Sequence, residues 1–122
     1  MILPNLYGNV YSKRLIAFYV AIFYKRFGEY PKIPYSPIFY VMLKRAFEKY
    51  GEIKVAGAML YHFEQNGERI VNEKFPIMWV FKNIPEYMQK LMDYYEIDVD
   101  NDEILYSAIK NRLEYLAVNF TM

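Results

Sequence analysis

The sequence contains no cysteine, one histidine (His62), one tryptophan (Trp79), two glutamines and one threonine. Each scarcity removes a class of chemistry. Without cysteine there is no disulfide framework, no thiolate metal centre and no cysteine nucleophile. A lone histidine cannot supply a histidine-pair metal motif. The five glycines are isolated, so no glycine-rich phosphate loop is present. Aliphatic hydroxyls are limited to Ser12, Ser36, Ser107 and Thr121, and the first two stand where helix caps belong. Long apolar runs are missing too. The longest, Leu15–Tyr24, is about half of a membrane span. It is followed by Lys25, Arg26 and Phe27 where a signal peptide would carry small residues, so it reads as a buried helix. These absences predict a non-enzymatic cytoplasmic protein (host cytoplasm for a viral source) with no cofactor, no metal and no membrane segment.

What is present is a single domain of 122 residues, 1–122, long enough to bury about two-thirds of its unfolded surface. With 55% hydrophobic and 24% charged residues, intrinsic disorder is excluded. Aromatics reach 20%, including 14 tyrosines, so many phenolic hydroxyls must meet water or a partner. Scarce Gln and absent Cys beside abundant Lys, Glu, Tyr and Ile fit a thermophilic source; an AT-rich genome gives the same bias. The net charge of +1 hides a split. Residues 1–54 carry nine Lys/Arg against three carboxylates, and residues 55–122 carry six against eleven. Such a split produces a basic and an acidic face, or two halves that attract each other within one fold.

Punctuation along the chain predicts an all-α bundle of five to six helices. Ser12 caps a helix to about Phe27, which Gly28 stops. Pro31 and Pro34 mark an extended connector. Ser36-Pro37 opens a second helix, whose Phe39, Met42, Leu43, Ala46, Phe47 and Tyr50 follow the 3.6-residue period and which Gly51 ends. The third, about 53–65 and stopped by Asn66-Gly67, is apolar on every side from Val55 to Tyr61, which marks a central helix. Residues 68–75 form an irregular segment or a short hairpin. Pro76 and Pro85 each start a helix, at about 76–83 and 85–95. Asp100 and Glu103 form a capping box for a last helix ending near Val118.

Candidate chemistry is sparse. Asp98, Asp100 and Asp102 alternate like calcium-loop ligands, but the required glycine and glutamate positions hold Glu103 and Ile109. His62 shares a stripe of the third helix with Val55 and reads as a hydrogen-bonded boundary residue. The basic residues carry more information. Arg14 and Lys25 are about three helical turns apart on one azimuth. Lys25-Arg26 ends the first helix, while Lys44, Arg45 and Lys49 lie on the outer side of the second, and Tyr30, Lys32 and Tyr35 decorate the connector. Cations interleaved with aromatics can track a phosphate backbone and stack bases. A helix-turn-helix is excluded, because its would-be recognition helix (EIKVAGAMLYHF) is apolar where base-reading side chains should stand.

Taken together, YKRFGEYPKIP, LKRAFEKYG, MLYHFEQN and FPIMWVFKNIPEYM resemble a pattern of small helical replication-accessory proteins of phages, plasmids and archaeal viruses, loosely of the replisome-organiser kind. The resemblance spans about residues 18–88. It implies a viral or plasmid protein that contacts DNA, through the backbone and with little sequence readout. An alternative is a protein–protein module or virion component, forming a homo-oligomer through Met78, Trp79, Tyr87, Met88 and Tyr94.

Overall fold

Local chemistry at the helix ends sets the frame. The computed structural model describes residues 10–33, 36–65, 72–73 and 76–116, with first-helix side chains from Arg14 onward, and five helices are placed among these residues. They are α1 (Val10–Phe27), α2 (Pro37–Tyr50), α3 (Glu52–Glu64), α4 (Ile77–Tyr95) and α5 (Asp102–Tyr115). No strand occurs among the described residues, so the all-α bundle holds. Gly28 stops α1 at φ +69°, donating its N–H to the Tyr24 carbonyl at 2.7 Å. Ser36 Oγ accepts from the Phe39 N–H at 3.2 Å, with Pro37 in the first turn, as the Ser-Pro pair predicts. Gly51, at φ +83°, closes α2 and leads directly into α3.

Contacts at both ends of α3 give the topology. Arg14 meets Glu52 at 2.9 Å and Arg26 donates to the Phe63 carbonyl at 2.7 Å, so α1 runs alongside α3 in the same direction. Lys54 meets Asp100 at 3.2 Å and Arg112 pairs with Glu64, so α5 runs the same way on α3 as well. The segments holding α2 and α4 bring the chain back between these three. As its sequence predicts, α3 is central and packs on all four other helices. Val55–Leu60 are buried in one unbroken run. Gly57 faces α5, where a Cβ would meet Cδ1 of Leu105 and of Ile109 at 3.4 Å, ordinary van der Waals contact. Phe18, Phe39, Leu43, Met59, Ile84 and Leu105 fill the centre; burying each side chain contributes about 1.5–3 kcal/mol.

Several expectations need correction. Ser12 does not cap α1, which begins at Val10. Asn101 caps α5 in place of Asp100, its side-chain oxygen accepting from the N–H groups of Glu103 (3.1 Å) and Ile104 (3.2 Å). Asp100 is one residue too early and pairs with Lys54 instead. The division expected just before Pro85 is present: α4 is two helical stretches that meet at a kink at Asn83 (φ −121°, ψ 15°). Tyr87 and Met88 are core residues, 5% and 6% exposed, because this side of α4 packs on α3. The Asn66-Gly67 stop, most of the 68–75 segment, Tyr35 and the chain after Leu116 lie outside the described residues.

Candidate nucleic-acid interface

The basic residues of the first half do not form one surface. Arg14 stands at the beginning of α1, tied to Glu52, whose carboxylate is largely buried. Lys44 reaches its i+4 neighbour Glu48 at 3.8 Å on the exposed side of α2, where Arg45 is exposed too. The Lys49 ammonium lies 5.3 Å from the ring centroid of Tyr50. Lys25 and Arg26 stand at the other end of α1, about 18 Å from Arg14 along the helix axis.

At that end a different grouping forms. Lys25 and Arg26 line a cleft of about 430 Å³ together with Arg112 from the last turn of α5. Phe63, Ile22 and Leu116 give it an apolar floor, and Glu64 is its carboxylate. Arg26 and Arg112 thus hold neighbouring positions of one helix end, the Phe63 carbonyl and the Glu64 side chain. Three helices, α1, α3 and α5, finish here. Each helix C-terminus carries an effective charge of about −0.5, so cations in these last turns are stabilising in their own right. Helix-end compensation therefore explains the three cations without any ligand.

It does not explain the tyrosines beside them. Tyr24 and Tyr30 are 47% and 66% exposed, and their rings meet at 4.9 Å between centroids with 33° between planes. Lys25 and Arg26 follow Tyr24 directly, and Lys32, also exposed, follows Tyr30 by two residues. Lys32 and Tyr30 line a second cleft of about 580 Å³ with Met78, Pro76, Glu29 and Glu73. An exposed pair of tyrosine rings in tilted contact, bordered by cations, is a surface on which bases can stack while phosphates are neutralised. Sequence reasoning found Lys25, Arg26, Tyr30 and Lys32 but missed Tyr24 and Arg112. Arg112 lies 86 positions from Arg26, and only its place in a helix's last turn marks it.

The remaining candidates fall elsewhere. Trp79 and Met78 are half-buried and Tyr94 is 69% exposed; with Tyr87 and Met88 in the core, the five do not make one interface. His62 is fully buried rather than at a boundary, its Nδ1 2.8 Å from the Tyr87 hydroxyl. Burial raises the Tyr87 pKa, an effect opposed by a hydrogen bond with Gln65 and reinforced by Glu86. This pair is a core hydrogen bond enclosed by side chains. The alternating aspartates have local roles, since Asp98 Oδ1 accepts from the Asp100 N–H at 3.1 Å. Among the described residues no group of three His or carboxylate side chains could hold a metal ion, and no helix is long and apolar enough to cross a membrane. Comparison with protein-family models, curated proteins and solved structures finds no match.

Proposed function

We propose that the protein is a non-enzymatic binder of single-stranded nucleic acid, acting through the end of the bundle where α1 finishes. The observation that carries this reading is the exposed Tyr24–Tyr30 pair bordered by Lys25, Arg26 and Lys32. Stacking on aromatic rings contributes about 1–3 kcal/mol per base and tolerates any sequence. Lys25, Arg26, Lys32 and Arg112 would neutralise successive phosphates, with backbone contacts dominating affinity. Arg14, Lys44, Arg45 and Lys49 lie outside this surface. The setting that fits is replication or packaging in a virus, phage or plasmid.

The test is fluorescence anisotropy with labelled single- and double-stranded DNA at about 50 and 200 mM salt. The expected result is a preference for the single strand, a steep salt dependence and loss of affinity in Tyr30→Ala. No binding at the lower salt, or a Tyr30→Ala variant that binds as well as the parent, overturns the reading.

A second reading, a protein–protein module, is favoured by one feature of α2. Ile38 and Val41, one helical turn apart, are 68% and 45% exposed. Solution mass at low and high salt tests its homo-oligomeric form, and a monomer at both removes it.

A further inference from the structure

A third cleft, of about 350 Å³, opens along the seam between α3 and α5 and is walled on its far side by the end of α4. Its floor is Gly57, Leu60, Leu105 and Ile109, with Leu91 and Ile97 completing an apolar lining. Tyr61 and Tyr95 meet edge to face at 6.2 Å on one wall. The polar groups gather at the end where α3 and α5 finish: Arg112, Glu64 and Asn111, beside the exposed Tyr115. The opposite end adjoins the acidic connector, where Glu96 and Asp98 flank Ile97 and are exposed.

We infer that this seam is a binding site for a small amphipathic anion, a medium-chain alkyl carboxylate or an aromatic acid. Its apolar body would lie over Gly57 and its acid group would rest on Arg112. Three observations carry the assignment. The volume and the mostly apolar lining with a few convergent polar groups are those of a small-molecule pocket. The two mouths differ in charge: Arg112, paired with Glu64, stands at one with Lys25 and Arg26 just beyond it, and the exposed Glu96 and Asp98 adjoin the other, so an anionic head is favoured at the first. The Glu64–Arg112 pair is also shared with the basic cleft, so Lys25 and Arg26 lie just beyond the head-group position. Arg112 is about 40% exposed at its side chain, which leaves guanidinium N–H donors open to a second carboxylate. Neither the cleft nor this ligand class depends on the nucleic-acid reading, although Arg112 serves both.

The experiment is isothermal titration with decanoate, decanol and decyltrimethylammonium on the full chain. Decanoate is expected to bind one-to-one and at least about tenfold more tightly than decanol, with the cation weakest. Arg112→Gln should lower decanoate affinity about tenfold and leave decanol unchanged. Ala108→Leu, which fills the lining of the cleft, should abolish binding of both. Absence of saturable decanoate binding overturns the site, as does binding that survives Ala108→Leu in a variant with parental circular dichroism. Equal affinity for all three head groups overturns the anion assignment. Should Ala108→Leu not fold, amide chemical shifts of the parent decide: changes centred on Gly57, Tyr61 and Ala108 support the site, and changes confined elsewhere overturn it. Nucleic-acid binding is read separately with Tyr30→Ala, which leaves this cleft intact.

Discussion

The two ends of the α1–α3–α5 layer have similar numbers of cations and opposite arrangements of them. Where the three helices begin, Arg14 is matched by Glu52 and Lys54 by Asp100. Where they finish, Lys25, Arg26 and Arg112 gather around the single carboxylate of Glu64, with two exposed tyrosine rings alongside. Lys54–Asp100 joins the basic and acidic halves of the sequence, whereas Arg14–Glu52 and Arg112–Glu64 each stay within one half. A charge count along the chain therefore says little about where a field is left over. Parallel packing decides it, by choosing which carboxylate stands opposite which cation.

The comparison is most directly broken by charge reversal. Lys25→Glu with Lys32→Glu should weaken single-stranded DNA binding at 50 mM salt by more than about tenfold and reduce the log–log salt slope by about 0.7 per lost phosphate contact. Arg14→Gln at the other end should change affinity by less than about twofold, and equal losses at both ends would erase the distinction. Next in size is a pH effect beneath the finishing end, where Tyr19 packs on Phe63 with ring centroids 5.2 Å apart. Burial raises the Tyr19 pKa well above its ordinary 10.0, and burial raises those of Tyr61 and Tyr87 as well. Above pH 10 the unfolded chain loses a proton that the folded one keeps, so stability is complete below pH 10 and falls as pH rises. For Tyr19 the slope is about 1.4 kcal/mol per pH unit. Urea melts of Tyr19→Phe at pH 9 and 11 should show a smaller alkaline loss than the parent, and an unchanged loss refutes the assignment.

Smaller effects sharpen the picture of the beginning end. Asn101→Ala removes the cap of α5 and should cost about 1 kcal/mol in a urea melt. Asp100→Ala, which removes only an exposed ion-pair partner, should cost less than about half of that. The reverse order would restore the capping box read from sequence. Of similar size is Glu52→Gln, expected to cost about 0.5 kcal/mol and to leave DNA binding unaltered.

Much of the fold was legible because it is written locally. Ser36-Pro37, Gly28 and Gly51 are punctuation whose chemistry needs no tertiary context, and the unbroken apolar run of α3 could only be central. What escaped depends on neighbours. Tyr87 and Tyr94 are seven positions apart and share a stripe of α4, yet one is 5% exposed and the other 69%, because the last turn outruns its cover. Nothing in composition separates them. Asn101 displaced Asp100 as a cap by one residue, a margin that propensity cannot see, since both side chains cap well. Half of the candidate site was visible in the KR–Tyr–Lys cluster around the connector. Arg112 was not, because bringing it to Lys25 and Arg26 needs α1 and α5 to end on the same side of α3, and no local sequence rule states that.

The kink in α4 has a consequence for how the molecule breathes. Pro85 offers no N–H to the Phe81 carbonyl, and just before it the Asn83 side-chain amide donates to the Trp79 carbonyl at 2.7 Å. The helical backbone is thus broken between Ile77–Lys82 and Ile84–Tyr95, and the run of backbone hydrogen bonds is not continuous across the kink. Native-state hydrogen exchange should see two cooperative units in one helix. The first, which carries the Ile77–Met78 wall beside Tyr30, should open at a lower free energy than the second, whose Ile84, Tyr87, Met88 and Leu91 are buried in the core.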